Sequence, residues 1–175
     1  MINLPKAAFW TASYIASILA VNLLFAPSQL VPGVTVWSTA FGDLYLANVV
    51  VGFVFVLRDY AQREIGHKIL LATLLAGAVT YGMVDPLIAV ASMTAFIISE
   101  LSDWGIYSFW KKPLQQRILV SSLVAVPLDT LVFQQMAGYL TPAAFSMEVL
   151  SKAVGVLIVW QLLRMREPKT PATVH

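Results

Sequence analysis

The chain has 175 residues, of which 59% are hydrophobic and only 11% charged, with a mean hydropathy of +0.79. Soluble domains carry about 25% charged residues, and a chain of this length cannot hide so much apolar side chain from water, so the composition requires a lipid bilayer as solvent. The absence of cysteine and the presence of only two histidines exclude disulfides, thiolate metal sites and cysteine nucleophiles, and a net charge of +2 spread over short segments is not a nucleic-acid-binding patch.

Six apolar stretches approach the length of about 20 residues that a membrane-crossing helix needs. The first, Ala7–Phe25, is longer than the roughly 7–15 residues of a signal-peptide core and is read as a retained helix. Pro27–Gly42, with Pro27, Pro32, Gly33 and Trp37, is too polar and broken to span. It is expected to be an extracytoplasmic loop or a short re-entrant piece over a cavity. The second helix is expected over Leu44–Tyr60 with Asp43 as N-cap, and the third over His67–Met83. The fourth, Pro86–Phe109, starts on a proline whose missing N–H costs nothing in a first turn. The short connection before it makes the third and fourth helices an antiparallel hairpin. The fifth is Gln116–Met136, with a kink expected at Pro127, and the sixth is Ala143–Arg164, opened by Thr141-Pro142. The expected fold is therefore an all-α polytopic membrane protein, with a single six-helix transmembrane domain over residues 1–166. Residues 167–175, with two prolines, are expected to form a disordered cytoplasmic tail.

Ten of the eleven bases fall in four places: Lys6; Arg58, Arg63 and Lys68; Lys111, Lys112 and Arg117; Arg164, Arg166 and Lys169. The connections at 26–43, 84–86 and 137–147 have none. That alternation fits the positive-inside rule with both termini cytoplasmic. The exception is Lys152, inside the sixth apolar run.

Among the acids, Asp43, Asp85 and Glu148 are placed near the outer ends, Asp59 and Glu64 at the inner end of the second helix, and Glu167 in the tail. Glu100 and Asp103 in the fourth helix and Asp129 in the fifth remain inside the membrane with Lys152. A charge at the bilayer centre costs roughly 2.5–3.5 kcal/mol even on lenient insertion scales, so these groups need partners or a wet cavity. Lys152 can form a structural bridge to Asp129 or Glu100. Alternatively, three carboxylates against one lysine leave surplus charge for a cation, a proton relay or a donor-rich ligand edge. Spacing puts Glu100 and Asp103 on one helix face, with Trp104 a turn beyond Glu100. Asn22 and Ser13 are polar groups of the first helix that can line a site, Trp104 and Trp37 are candidates for stacking on a planar ligand, and Gly77 and Gly82 read as packing glycines. Asp59 and Glu64 are solvated ion-pair formers or a cytoplasmic gate. No metal or cofactor site and no catalytic group is expected. A nucleophile–base pair or metal triad is missing from the spans, and no phosphate-binding glycine loop occurs.

Taken together, Asn22, the Asp59-x4-Glu64-x-Gly66 segment, Ser99-Glu100-x-x-Asp103, the serine-rich stretch from Ser121 to Asp129-Thr130-x-x-Phe133, and Lys152 resemble the queuosine precursor transporter family, grouped with the vitamin uptake transporters. The resemblance covers nearly the whole chain. It implies six helices with an architecture similar to the substrate-binding subunits of energy-coupling-factor transporters. It also implies import of 7-deazaguanine precursors of queuosine (preQ0, preQ1) across a bacterial inner membrane, without enzymatic activity. The chemistry is compatible. A 7-deazaguanine offers an N1–H and an exocyclic amine side by side, which a carboxylate such as Glu100 accepts as a fork. Trp104 or Trp37 would face the ring, Asp103 or Asp129 would suit the cationic aminomethyl group of preQ1, and Lys152 would donate to the base oxygen or keep Asp129 ionised. The expected partners are the base and the bilayer, not nucleic acid, with homodimerisation open. The alternative is a membrane-embedded binding subunit served by a separate energising complex, for which Ala16–Ala20 on the first helix would be the docking stripe.

Overall fold

The computed structural model describes residues 4–25, 36–40, 42–82 and 86–166. Asp85, the residues 27–35 of the broken segment, and the tail 167–175 named above lie outside the described residues. The described chain is mostly helical: α1 (Leu4–Phe25), a hairpin of β1 (Val36–Thr39) and β2 (Gly42–Tyr45), α2 (Leu46–Ile65), a 3-10 turn over Gly66–Lys68, α3 (Ile69–Tyr81), α4 (Pro86–Phe109), α5 (Leu114–Ala137) and α6 (Pro142–Arg166).

Several expectations are corrected. The fold is not purely α: the two strands pair antiparallel, with Trp37 opposite Leu44 and Ser38 opposite Asp43. Asp43 is therefore a strand residue and not the N-cap of α2. That position is taken by Tyr45, which makes no side-chain cap bond. At its other end α2 runs well past Tyr60. Gly66, at φ +62°, stops it and donates its N–H to the Gln62 carbonyl, a conformation that glycine adopts without steric penalty. Arg58 and Asp59 thus stand inside the helix rather than in a loop. α3 begins after the 3-10 turn and is shorter than expected.

Other local signals hold. α4 spans the expected residues, and α6 opens at Pro142 with Thr141 Oγ1 accepting the Ala144 N–H at 3.1 Å. α5 runs unbroken through Pro127 and ends at Gly138, which is left-handed at φ +77°.

Among the described residues four helices, α1, α4, α5 and α6, are long and apolar enough to cross a membrane. α2 carries too many charges to qualify by composition, and α3, at about 20 Å from its 13 residues, falls short of a hydrocarbon core of about 30 Å. Exposed apolar side chains such as Leu71, Leu75, Leu87, Leu123 and Leu157 form the surface that lipid would cover.

α2 is the central element. It packs between α1 and α6, while α4 pairs with α5, and α3 bridges α1 and α4. One apolar cluster joins Phe55, Val56 and Tyr60 of α2 to Tyr107, Ile118, Ala125, Val126 and Val156. A second joins Val54 and Ala61 of α2 to Tyr14, Ile18, Ile69 and Ala76. Long-range contacts set the helix directions. Trp10 lies on Tyr60, with centroids 4.7 Å apart, and Gln62 bonds Ser108. Gln115 bonds Tyr60 through its amide and Trp160 through its backbone carbonyl. The start of α1, the ends of α2, α4 and α6 and the start of α5 therefore share one end of the bundle, and that end carries the basic residues.

Close approach of α2 and α6 depends on two facing glycines. A Cβ on Gly52 would collide with the Lys152 carbonyl oxygen, and one on Gly155 with the Val49 carbonyl oxygen. The expected packing role of Gly77 and Gly82 is not seen. A Cβ on Gly77 meets only Met93 Cγ at 4.0 Å, and one on Gly82 only the Val79 carbonyl at 3.6 Å.

Gly155→Ala is expected to destabilise the detergent-solubilised protein by about 1–3 kcal/mol, the usual cost of overpacking, whereas Gly77→Ala should be neutral or slightly stabilising. Thermal unfolding of the two variants beside the wild type checks this.

Candidate functional site

The apolar run that builds α2 places Arg58 opposite the polar face of α4. Its guanidinium is fully buried. Nε donates to Glu100 Oε2 at 2.9 Å. One terminal nitrogen donates to Asp59 Oδ1 at 2.9 Å and Asp103 Oδ2 at 3.1 Å, and the other to the Glu100 backbone carbonyl at 3.1 Å. Glu100 Oε2 also accepts the Tyr14 hydroxyl of α1 at 3.2 Å, and that hydroxyl lies 2.9 Å from Thr73 Oγ1 of α3. From α5, Ser121 Oγ donates to Asp59 Oδ2 at 3.2 Å. Five helices thus meet at one guanidinium. Two acceptors in this centre have no donor: Glu100 Oε1 and Asp103 Oδ1 are buried and unpartnered, and buried acceptors in that state are rare and costly.

A second centre forms between α5 and α6. Lys152 Nζ donates to Asp129 Oδ2 at 2.7 Å, to Glu148 Oε1 at 2.5 Å and to Thr130 Oγ1 at 3.0 Å. An ammonium has three N–H donors, so all are used. Glu148 Oε2 accepts the Gln134 amide at 2.8 Å and the Tyr139 hydroxyl at 3.4 Å. Burial and the Glu148 carboxylate push the Tyr139 hydroxyl well above its ordinary range, so it stays protonated and donates. The two centres are joined through α4, where Ser99, adjacent to Glu100, donates to Asp129 Oδ1 at 3.2 Å. Among the described residues, two cations therefore face five carboxylates in these centres, a formal surplus of three negative charges. Among the described residues no group of three or more His, Cys, Asp or Glu side chains is arranged to hold a metal.

The expected site residues are brought together in part. Glu100 and Asp103 share the Arg58 centre, and Asp129 and Lys152 share the second. Lys152 is therefore the partner of Asp129 and not of Glu100. Asn22 is buried, but its amide donates to the Ile18 carbonyl of its own helix at 2.8 Å. Trp104 turns its indole N–H to His67 Nδ1 at 3.0 Å, at the basic end of the bundle. Trp37 lies exposed on β1. The expected gating pair is split: Asp59 belongs to the buried Arg58 centre, while Glu64 pairs with Arg63 at 3.1 Å at the end of α2.

Two functional candidates escaped the sequence reading. Arg58 was grouped with the inner basic residues. Gly66 was the available signal, because a helix stopped there carries Arg58 two turns inside its end. Glu148 was placed near an outer end, although its i, i+4 spacing to Lys152 already made them neighbours on one helix face.

The family model described as "Putative vitamin uptake transporter" matches residues 76–165. The match covers the second half of α3, all of α4 and α5 and nearly all of α6, and with them every charged group of the two centres except Arg58 and Asp59. No curated protein and no solved structure matches the chain.

Removing one member of a buried ion pair leaves an uncompensated charge at a cost of about 3–5 kcal/mol. Arg58→Met is expected to lose that much, and Arg63→Met, whose side chain is 34% exposed, about 0–1 kcal/mol. Unfolding measurements on both variants in the same detergent test the contrast.

Proposed function

We propose that this chain, which belongs to the vitamin uptake transporter family and is a multi-pass membrane protein, imports a 7-deazaguanine precursor of queuosine, such as preQ0 or preQ1. In this reading six helices cross a bacterial inner membrane, α3 lengthened by the 3-10 turn Gly66–Lys68 that precedes it, and both termini lie in the cytoplasm, because the bundle end that carries the bases is the end that the positive-inside rule keeps there. The charges of α2 count against insertion only if they meet lipid; Arg58 and Asp59 are turned into the bundle, and Arg63 and Glu64 lie in the last turn, at the basic end.

The observation that carries the reading is the pair of buried, unpartnered carboxylate oxygens, Glu100 Oε1 and Asp103 Oδ1, one helical turn apart on α4. A ligand edge with adjacent N–H donors removes both deficits, and charge-assisted hydrogen bonds of this kind are about twice as strong as neutral ones. A 7-deazaguanine has such an edge, and the aminomethyl group of preQ1 suits the surplus negative charge. Trp104, a turn beyond Glu100, is the aromatic candidate nearest in sequence. Lys152 has no N–H to spare for the base oxygen in this arrangement, so its role as a direct ligand of the base is dropped. Alternating exposure of a midplane site to the two sides completes the transport cycle.

One observation favours the second reading, a binding subunit that needs a separate energising complex. Ala12 and Ala16 lie exposed one turn apart on α1, a small-residue face on which a partner helix could pack. Uptake by the purified protein alone in liposomes excludes this alternative.

Ligand at a hundredfold excess over Kd stabilises the native state by about 2.7 kcal/mol. The expected outcome is an upward melting shift with preQ0 or preQ1, absent with guanosine and absent in Glu100→Gln. No shift with either deazaguanine refutes the substrate assignment.

A further inference from the structure

The Asp129–Lys152–Glu148 centre is left over by the base-binding reading. It is a built site: Lys152 is 2% exposed, and its three N–H groups meet two carboxylates and the Thr130 hydroxyl. It is also short of one positive charge, since one ammonium serves two carboxylates. A second deficit lies beside it. Gln134 is fully buried and gives its amide N–H to Glu148 Oε2, but its own Oε1 has no donor. Both Glu148 oxygens are met by donors, so the hydrogen-bond deficit here lies at Gln134 Oε1 and the charge deficit at the two carboxylates.

We propose that this centre is a proton-coupling site, which takes up one proton from the outer side in each transport cycle and releases it inward. The proposal rests on the importer reading above. On protonation an O–H bond forms at a carboxylate oxygen of Glu148 or Asp129, the formal charge of the centre becomes zero, and the new donor can satisfy Gln134 Oε1 once that amide turns over. On release the O–H bond breaks and the proton leaves to inner water. No oxidant or reductant is involved. A proton fits where a metal ion does not, because the ammonium already occupies the position between the carboxylates and a proton needs no added volume.

The surroundings give the site an entrance and a connection to the other centre. Tyr139, 43% exposed in the turn before α6, donates to Glu148 and stands at the bundle end opposite the bases. From α4, Ser99 ties Asp129 to the residue next to Glu100. The strand packed on α6 carries Asp43 and Tyr45, and α2, which also packs on α6, carries Arg58 and Asp59. Arg58, the other interior cation, is taken up by three carboxylates of its own. Neutralising the Lys152 centre weakens its hold on α5 and, through Ser99, on α4. The helix that carries Glu100 and Asp103 therefore feels the protonation state.

The test uses the full chain in liposomes and has two readouts. Without ligand, infrared difference spectra on acidification should show the carbonyl stretch of a newly protonated carboxyl group. This band should be lost or displaced in Glu148→Gln or Asp129→Asn and recovered in Glu148→Asp. A missing band, or one that neither variant changes, overturns the proposal. With preQ0, a base without an amine charge, an inward gradient of about one pH unit should sustain about a tenfold accumulation at one proton per base. In Glu148→Gln that should collapse to equal concentrations on the two sides. Accumulation driven by sodium and indifferent to pH overturns the proposal as well. If preQ0 is not bound at all, the substrate assignment fails, and the infrared readout still judges the proton site.

Discussion

The structure depends on one guanidinium that has no contact with solvent. Arg58 could be carried into a membrane only if its charge is met, and its planar fork of donors is met by Glu100, Asp103 and Asp59 together. Around that group the helices have little freedom. α2 and α4 are pinned by the pair itself, α1 and α3 by Tyr14 and Thr73 reaching Glu100, and α5 by Ser121 reaching Asp59. Apolar packing alone does not specify a bundle in lipid, because a leucine is as content against an acyl chain as against another helix. The polar centre supplies the specificity, since its groups have no acceptable alternative outside it.

The arrangement is specific without being neutral. A purely structural bridge would match charges, whereas the interior keeps five carboxylates for two cations and leaves acceptor oxygens without donors. On the transport reading proposed above, unmatched acceptors inside the bundle have a use. They are satisfied when a donor-bearing solute or a proton arrives, so the occupied state is the better-bonded one. The two centres meet along α4, where Glu100 and Ser99 are neighbours in the chain but bond to different clusters.

Backbone approach decides where the second centre sits. Gly52 and Gly155 let α2 and α6 come into contact through their main chains, and the carbonyl of Lys152 lies in that contact. The lysine side chain therefore starts from a rigid crossing and turns toward α5, where Asp129 and Thr130 receive it. The expected packing glycines, Gly77 in α3 and Gly82 just after it, have no such contact. Whether a glycine is a packing residue depends on what faces it, and one helix's sequence does not contain that information.

The amino-acid sequence by itself settled the solvent, the number of helices, most of their limits and the residue types that had to be accounted for. Those follow from apolar run length, from the alternation of bases and from the cost of charge in lipid, all of which are local or additive along the chain. Glu100, Asp103, Asp129 and Lys152 were legible for that reason: each stands out against an apolar background. Arg58 and Glu148 were not, because each lies near enough to a polar segment to be read as part of it. Only the tertiary structure decided which acid meets which base. With two cations and several carboxylates in one small bundle, many pairings lower the charge, and composition does not rank them. The choice rests on helix rotation and on approaches of a few ångströms, set by Gly66 ending α2, by the Gly52–Gly155 crossing and by α4 presenting Ser99 to α5 and Glu100 to α2.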